Sequence, residues 1–167
     1  MAIEHDYFGL LGSTEDGELY WSESLELGDQ QVDVDLSSPD ESEVSVEALD
    51  IAAAMIGALE ELDSDAREAF VAELSSEESD TSLYVNHHLE ELDEAVLDDA
   101  ISRESGDRQI DFLRSMRLLR VGFHPHHSGQ EEHFAVLDYS IAPDETDGIL
   151  VAIIDMHGDV VAIDYES

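Results

Sequence analysis

The sequence predicts an α+β protein: an antiparallel sheet built from N-terminal and C-terminal strands, with a central helical segment packed on one face. Three observations carry this expectation. Apolar residues recur near period two up to residue 37, at steps of three and four from 45 to 116, and in strand-like runs from 118 to 165. That order, strands then helices then strands, favours segregated layers over a doubly wound fold. No linker divides the 167 residues, so 1–167 reads as one domain.

The first third holds three expected strands, Tyr7 to Leu11, Leu19 to Leu27 and Val32 to Leu36. In the last of them Val32, Val34 and Leu36 alternate with Asp33 and Asp35, the pattern of a half-buried strand with one wet face. Gly28-Asp29 supplies a hairpin turn before it. Ser37-Ser38-Pro39-Asp40 ends the section, and Ser45 is placed to cap a helix whose buried stripe is Leu49, Ala52, Ala53, Ile56 and Leu59. A second helix is expected to open at Asp63 or Ser64, burying Ala66, Phe70 and Leu74. The spacing of Val85, Leu89, Leu92, Val96 and Ala100 predicts one helix over 81–101. Gly106-Asp107 interrupts, and a short helix follows over 108–116. Strands are then expected at 118–123, 133–141, 149–155 and 160–165, with a tight turn at His157-Gly158. The run Ile149 to Ile154 lacks alternation, which predicts a central strand covered on both faces.

Charge is the dominant compositional feature. The chain carries 43 Asp and Glu against six Arg and no Lys, a net charge of −37. Such a surface repels nucleic acid and anionic membrane directly. With 43% hydrophobic residues in periodic patterns, burial can still offset the cost of ordering the chain. The charge is uneven: 30 acids and one Arg precede residue 103, whereas five Arg and three acids lie between Arg103 and Arg120. There is no Cys, which excludes disulfides and thiolate chemistry. Met1 to Glu4 carries no basic leader and no apolar run reaches a membrane span, so a cytoplasmic protein is expected.

Few residues offer chemistry. His124, His126, His127 and His133, beside Glu131 and Glu132, form a histidine-rich loop whose imidazoles suit Zn²⁺, Ni²⁺ or Cu²⁺, although the spacing matches no established motif and a solvated hairpin loop explains it as well. His87-His88 with Glu91 superficially resembles a diiron half-site, reversed and single, and is read instead as a part-buried imidazole capping the core. Asp155-x-His157-x-Asp159 is oxygen-rich but coincides with a turn that wants Asp and Gly anyway. No nucleophile elbow or phosphate-binding glycine loop is present, and without Lys there is no Schiff-base chemistry. No cofactor and no catalytic residue is therefore expected. Arg103, Arg114 and Arg117 can share a helical side if their segments are collinear, with Arg120 opening the next strand. Either they pair with internal carboxylates, or they anchor an acidic ligand or a partner subunit.

The stretches Glu4 to Gly9, Val32 to Leu36, Asn86 to Leu92 and Asp155 to Ser167 resemble an uncharacterised bacterial family, domain of unknown function 2004. The resemblance covers nearly the whole chain and implies no activity, cofactor or catalytic residue. The histidine-rich stretch and the absence of Lys depart from the family's pattern.

Three functional readings follow. In the first, a non-enzymatic protein carries an acidic surface adapted to molar salt, where Asp and Glu replace Lys. In the second, the acidity is used, in an inhibitor or nucleic-acid mimic that covers a basic protein site. The third is a metal-binding protein working through the histidine-rich loop. The partner stays open between a second copy of this chain and a basic protein.

Overall fold

In the computed structural model, residues 2–12, 18–28, 30–40, 43–126 and 133–166 are described. The fold is α+β. A short hairpin, β1 (Ala2–His5) and β2 (Gly9–Gly12), precedes the strands β3 (Leu19–Leu27) and β4 (Gln30–Ser38). Five helices follow: α1 (Val46–Gly57), α2 (Leu59–Glu73), α3 (Asp80–Glu91), α4 (Glu94–Ala100) and α5 (Arg108–Ser115). The chain ends in β5 (Arg117–Phe123), β6 (Ala135–Ser140), β7 (Ile149–Ile154) and β8 (Val160–Glu166).

Strands β3 to β8 form one six-stranded sheet in sequence order. Four of its pairings are antiparallel, as expected, but β4 and β5 run parallel. The helical segment is the reason. A parallel partner needs a long crossover, and α1 to α5 supply it by returning the chain to the end of the sheet where β4 began. β1 and β2 stand apart as a separate two-stranded sheet, and the expected strand 7–11 is a turn followed by β2.

One core joins helices and sheet. Val32, Val34 and Leu36 of β4, Leu137 and Tyr139 of β6 and Leu150 and Ile154 of β7 are buried with Leu49, Phe70, Tyr84 and Phe112 from the helices. β7 is buried along nearly its whole length, as its unbroken apolar run predicts. Ser45 caps α1, accepting the Ala48 N–H at 3.0 Å. Of the Gly28-Asp29 turn, Gly28 takes φ 61° and Asp29 lies outside the described residues.

Two helix boundaries differ from the periodicity. α2 opens at Leu59, directly after a kink at Ala58, where no side chain caps the new helix. The expected helix 81–101 breaks at Leu92 and Asp93, both in extended conformation. The break rotates the buried stripe by one residue. Leu97 and Ile101 enter the core, while Val96 and Ala100 are only half-buried. Among the described residues, no helix is long and apolar enough to cross a membrane.

Candidate functional site

The arginines expected to cluster are dispersed, and most are neutralised within the chain. Arg103 lies in the connection before α5 and meets Asp98 at 3.4 Å; Arg108 meets Glu94 at 3.3 Å and Arg114 meets Glu68 at 3.9 Å. All three pairs are solvent-exposed and contribute little to stability. No single helical side carries Arg103, Arg114 and Arg117, because Arg117 already opens β5 and Arg120 sits within that strand.

Arg120 anchors the sheet face turned away from the helices. The strand register sets Ser24, Asp33, Arg120, Asp138, Val151 and Asp164 in one row across all six strands. The guanidinium leans to the neighbouring row, donating to both oxygens of Asp35 at 2.6 and 2.9 Å, with Asp138 at 3.6 Å. Gly122 makes this possible, since a Cβ there would lie 2.9 Å from Arg120 Nη2. Hydrogen bonding to Asp35 raises the Arg120 pKa further. Burial raises Asp138 above the usual carboxylate value, outweighing the opposing pull of its more distant Arg120 partner.

Arg67, which no sequence pattern singled out, holds the most embedded network. Its Nε donates to Asp63 Oδ1 at 2.9 Å, and Nη1 donates to the carbonyls of Leu113, Arg114 and Met116 at 3.4, 3.1 and 2.7 Å. A guanidinium thus satisfies the orphan carbonyls at the C-terminus of α5, where the helix dipole favours positive charge. Tyr139 donates to the same Asp63 oxygen at 2.7 Å. Burial, then the charge on Asp63, pushes the Tyr139 phenol well above its ordinary value.

Arg117 is the exception. Among the described residues no carboxylate lies within 4.0 Å of its guanidinium, although the chain holds 43 Asp and Glu. The side chain is exposed at the mouth of a cleft of about 620 Å³ between α4 and the β6–β7 loop. Val96 and Ala100 line one wall, a consequence of the break before α4, and Ile141, Ala142 and Pro143 line the other. Asp99, Asp144 and Glu145 complete the rim.

The β6–β7 loop is held from behind by buried polar groups. His88, 2% exposed, uses Nδ1 to meet the Tyr84 carbonyl at 2.8 Å and Nε2 to meet Thr146 Oγ1 at 2.9 Å. The carbonyl only accepts, so Nδ1 carries the proton and Nε2 accepts from the threonine hydroxyl. Tyr84 Oη donates to the Gly148 carbonyl at 3.1 Å and accepts the Ile141 N–H at 3.2 Å. Burial holds His88 below the ordinary imidazole value, consistent with an imidazole that caps the core.

The remaining histidines form no metal centre among the described residues, where no group of three or more His, Asp or Glu is placed to hold an ion. The His124 and His126 ring centroids are 6.1 Å apart, His133 is exposed, and His127, Glu131 and Glu132 lie outside the described residues. Asp155 is buried and spends Oδ1 on the N–H groups of His157 and Asp159 at 2.9 and 3.1 Å, so it closes the β7–β8 turn with Gly158 at φ 86°. His5 bridges β1 to α1 by donating from Nε2 to Asp50 at 2.8 Å, while Nδ1 accepts the Tyr7 N–H at 3.1 Å.

Comparison with family models, curated proteins and solved structures finds no match to this chain.

Proposed function

We propose that this chain is a non-enzymatic, intracellular protein whose acidic shell adapts it to molar salt. The observation that supports this most is where the carboxylates stand. Exposed acids occur on β3 (Glu23, Glu26), along α2 (Glu60, Glu61, Asp65), on α3 and α4 (Glu90, Asp98), in the β6–β7 loop and on β8 (Asp164, Glu166). Both layers of the molecule and the loops between them are covered. A mimic of nucleic acid needs phosphate-like rows on one elongated face. The register row spanning the sheet carries three carboxylates and is interrupted by Arg120. Distributed carboxylates keep a surface hydrated and soluble where screening is nearly complete, with a Debye length of about 3 Å at 1 M salt. The resemblance to domain of unknown function 2004 adds no activity to this reading.

Thermal melting as a function of KCl tests it. The folded state confines charges that the unfolded chain can separate, so self-repulsion opposes folding at low ionic strength. Exposed ion pairs, worth at most about 1 kcal/mol each, are too few to reverse the sign. Between about 0.05 M and about 2 M KCl the Tm is expected to climb by well over the roughly 2–4 °C that 1 kcal/mol gives a domain of this size. A Tm indifferent to KCl overturns the proposal in favour of an acidic inhibitor directed at a basic protein site.

A further inference from the structure

We propose that the cleft at Arg117 binds a small zwitterion with an apolar body, the chemistry of an aliphatic α-amino acid. Arg117 would take its carboxylate, and the rim of Asp99, Asp144 and Glu145 its ammonium group.

The first ground is a guanidinium without a carboxylate partner among the described residues. Five of the six arginines have a carboxylate within 4.0 Å, in a chain where acids outnumber cations about sevenfold. Arg117 is set at the edge of a cavity that also contains three carboxylates, yet contacts none of them. The planar fork of an arginine matches a carboxylate bidentately. The charge is thus kept available at a concave site rather than neutralised internally.

The second ground is rigidity. Arg117 immediately follows the corner that Arg67 ties down through the carbonyls of Leu113, Arg114 and Met116. The opposite wall is tied down by His88 at Thr146 and by Tyr84 at Gly148 and Ile141. Backbone fixed from behind on both walls needs little rearrangement to meet a ligand.

The third ground is selectivity by charge and shape. A volume of about 620 Å³ falls within the range of small-molecule sites, and in a mixed lining Val96, Ala100 and Pro143 supply an apolar patch for a short aliphatic body. A simple anion would be repelled at short range by the carboxylates of the rim. A zwitterion has no net charge to repel, and the lining offers both an arginine and carboxylates for its two ends. These contacts are short-range, so they survive where screening extends only about 3 Å.

Calorimetric titration of the full chain in about 2 M KCl with glycine, alanine, valine, leucine and isoleucine tests the proposal independently of the salt-dependent melt. At least one aliphatic amino acid is expected to bind with a Kd below about 1 mM. Its amide, which lacks the carboxylate, and its N-acetyl derivative, which lacks the ammonium, should each bind at least about tenfold more weakly. Arg117→Gln should lose binding by at least about tenfold with the circular dichroism spectrum unchanged, because the side chain has no carboxylate partner to forfeit among the described residues. Ala95→Trp, which fills the cleft from the exposed side of α4, should also lose it. No aliphatic amino acid binding with a Kd below about 1 mM, or binding that survives either substitution or the loss of the ligand's carboxylate, overturns the proposal.

Discussion

Tyr139 and Arg67 converge on one oxygen of Asp63, the phenol at 2.7 Å and the guanidinium at 2.9 Å, with the Arg67 carbon 5.1 Å from the Tyr139 ring centroid. A strand of the sheet, a turn of α2 and the end of α5 are thereby locked to one carboxylate. Tyr139→Phe removes a hydrogen bond to a charged acceptor and is expected to cost about 1.5–3 kcal/mol in urea melts. Arg67→Met should cost more, about 3 kcal/mol, because it takes a donor from three carbonyls and leaves a largely buried carboxylate with no counter-charge and only the Tyr139 hydroxyl to donate to it. If the two losses simply add in the double variant, the three residues do not act as a unit.

On the other face of the sheet, Arg120 keeps Asp35 and Asp138 apart as charges while holding them together as partners. Its side chain is 42% exposed, so solvent weakens the pairing, but Asp35 and Asp138 are only 14% and 17% exposed, so Arg120→Gln is expected to cost about 1–2 kcal/mol even at high salt. At low salt the two carboxylates repel unopposed. The Tm of Arg120→Gln should therefore rise more steeply with KCl than that of the parent, and parallel salt curves would contradict this account of the site.

The alternation of Val32, Val34 and Leu36, the Ser45 cap and the unbroken run of β7 were legible because each is written locally, in period, side chain or burial. The parallel pairing of β4 with β5 was not. It depends on where five helices return the chain, and that sum of crossings has no local signature. The break before α4 is hidden in the same way, since Leu92 keeps the helical period while its backbone is extended. Arg67 left one faint signal, Asp63 four residues before it on a helix face shared with Ala66 and Phe70. The isolation of Arg117 is a matter of distances alone, so composition could mark the arginine cluster but not the member that lacks a carboxylate partner among the described residues.

Asp111 accepts the Ser105 hydroxyl at 2.7 Å and the N–H groups of Ser105 and Glu104 at 2.9 and 3.3 Å, bonds that lower its pKa first through the Ser105 hydroxyl. A depressed folded-state value stabilises above the unfolded carboxylate pKa, about 3.9, and the benefit is lost as pH falls through the folded value. Asp111→Asn should therefore lower stability at neutral pH and narrow its gap from the parent protein at the acid end. An equal gap at pH 7 and pH 3 would rule out the carboxylate as the cause.

His88 governs a different window. Burial depresses its pKa first, the bond to the Tyr84 carbonyl opposes it and His87 adds to the depression; the rings of Tyr84 and Tyr165 are the other titratable groups beside it. The neutral ring stabilises the fold above the unfolded imidazole value of about 6.5, and that stability is lost as pH falls below it towards the depressed value. The Tm is expected to drop between pH 7.5 and 5.5, above the range near 4 where carboxylates ordinarily titrate. His88→Gln should flatten that segment of the curve, and a segment unchanged in the variant would assign it to another group.

Gly148 sets how closely the β6–β7 loop can approach that ring. A Cβ at position 148 would lie 3.0 Å from both Cε1 and Nε2 of His88 and 3.3 Å from Cε1 of Tyr165. The imidazole cannot give way cheaply, because the Tyr84 carbonyl and the Thr146 hydroxyl pin both of its nitrogens. Gly148→Ala should therefore act as an overpacked core substitution and cost about 1–3 kcal/mol in a denaturant melt. Removing the ring removes the obstacle, so in a His88→Ala background the same change should cost only a few tenths of a kcal/mol, a non-additivity readable in a double-mutant cycle. A cost of Gly148→Ala that persists undiminished beside His88→Ala would place the collision on Tyr165 or on the backbone, and would detach the loop's position from the histidine.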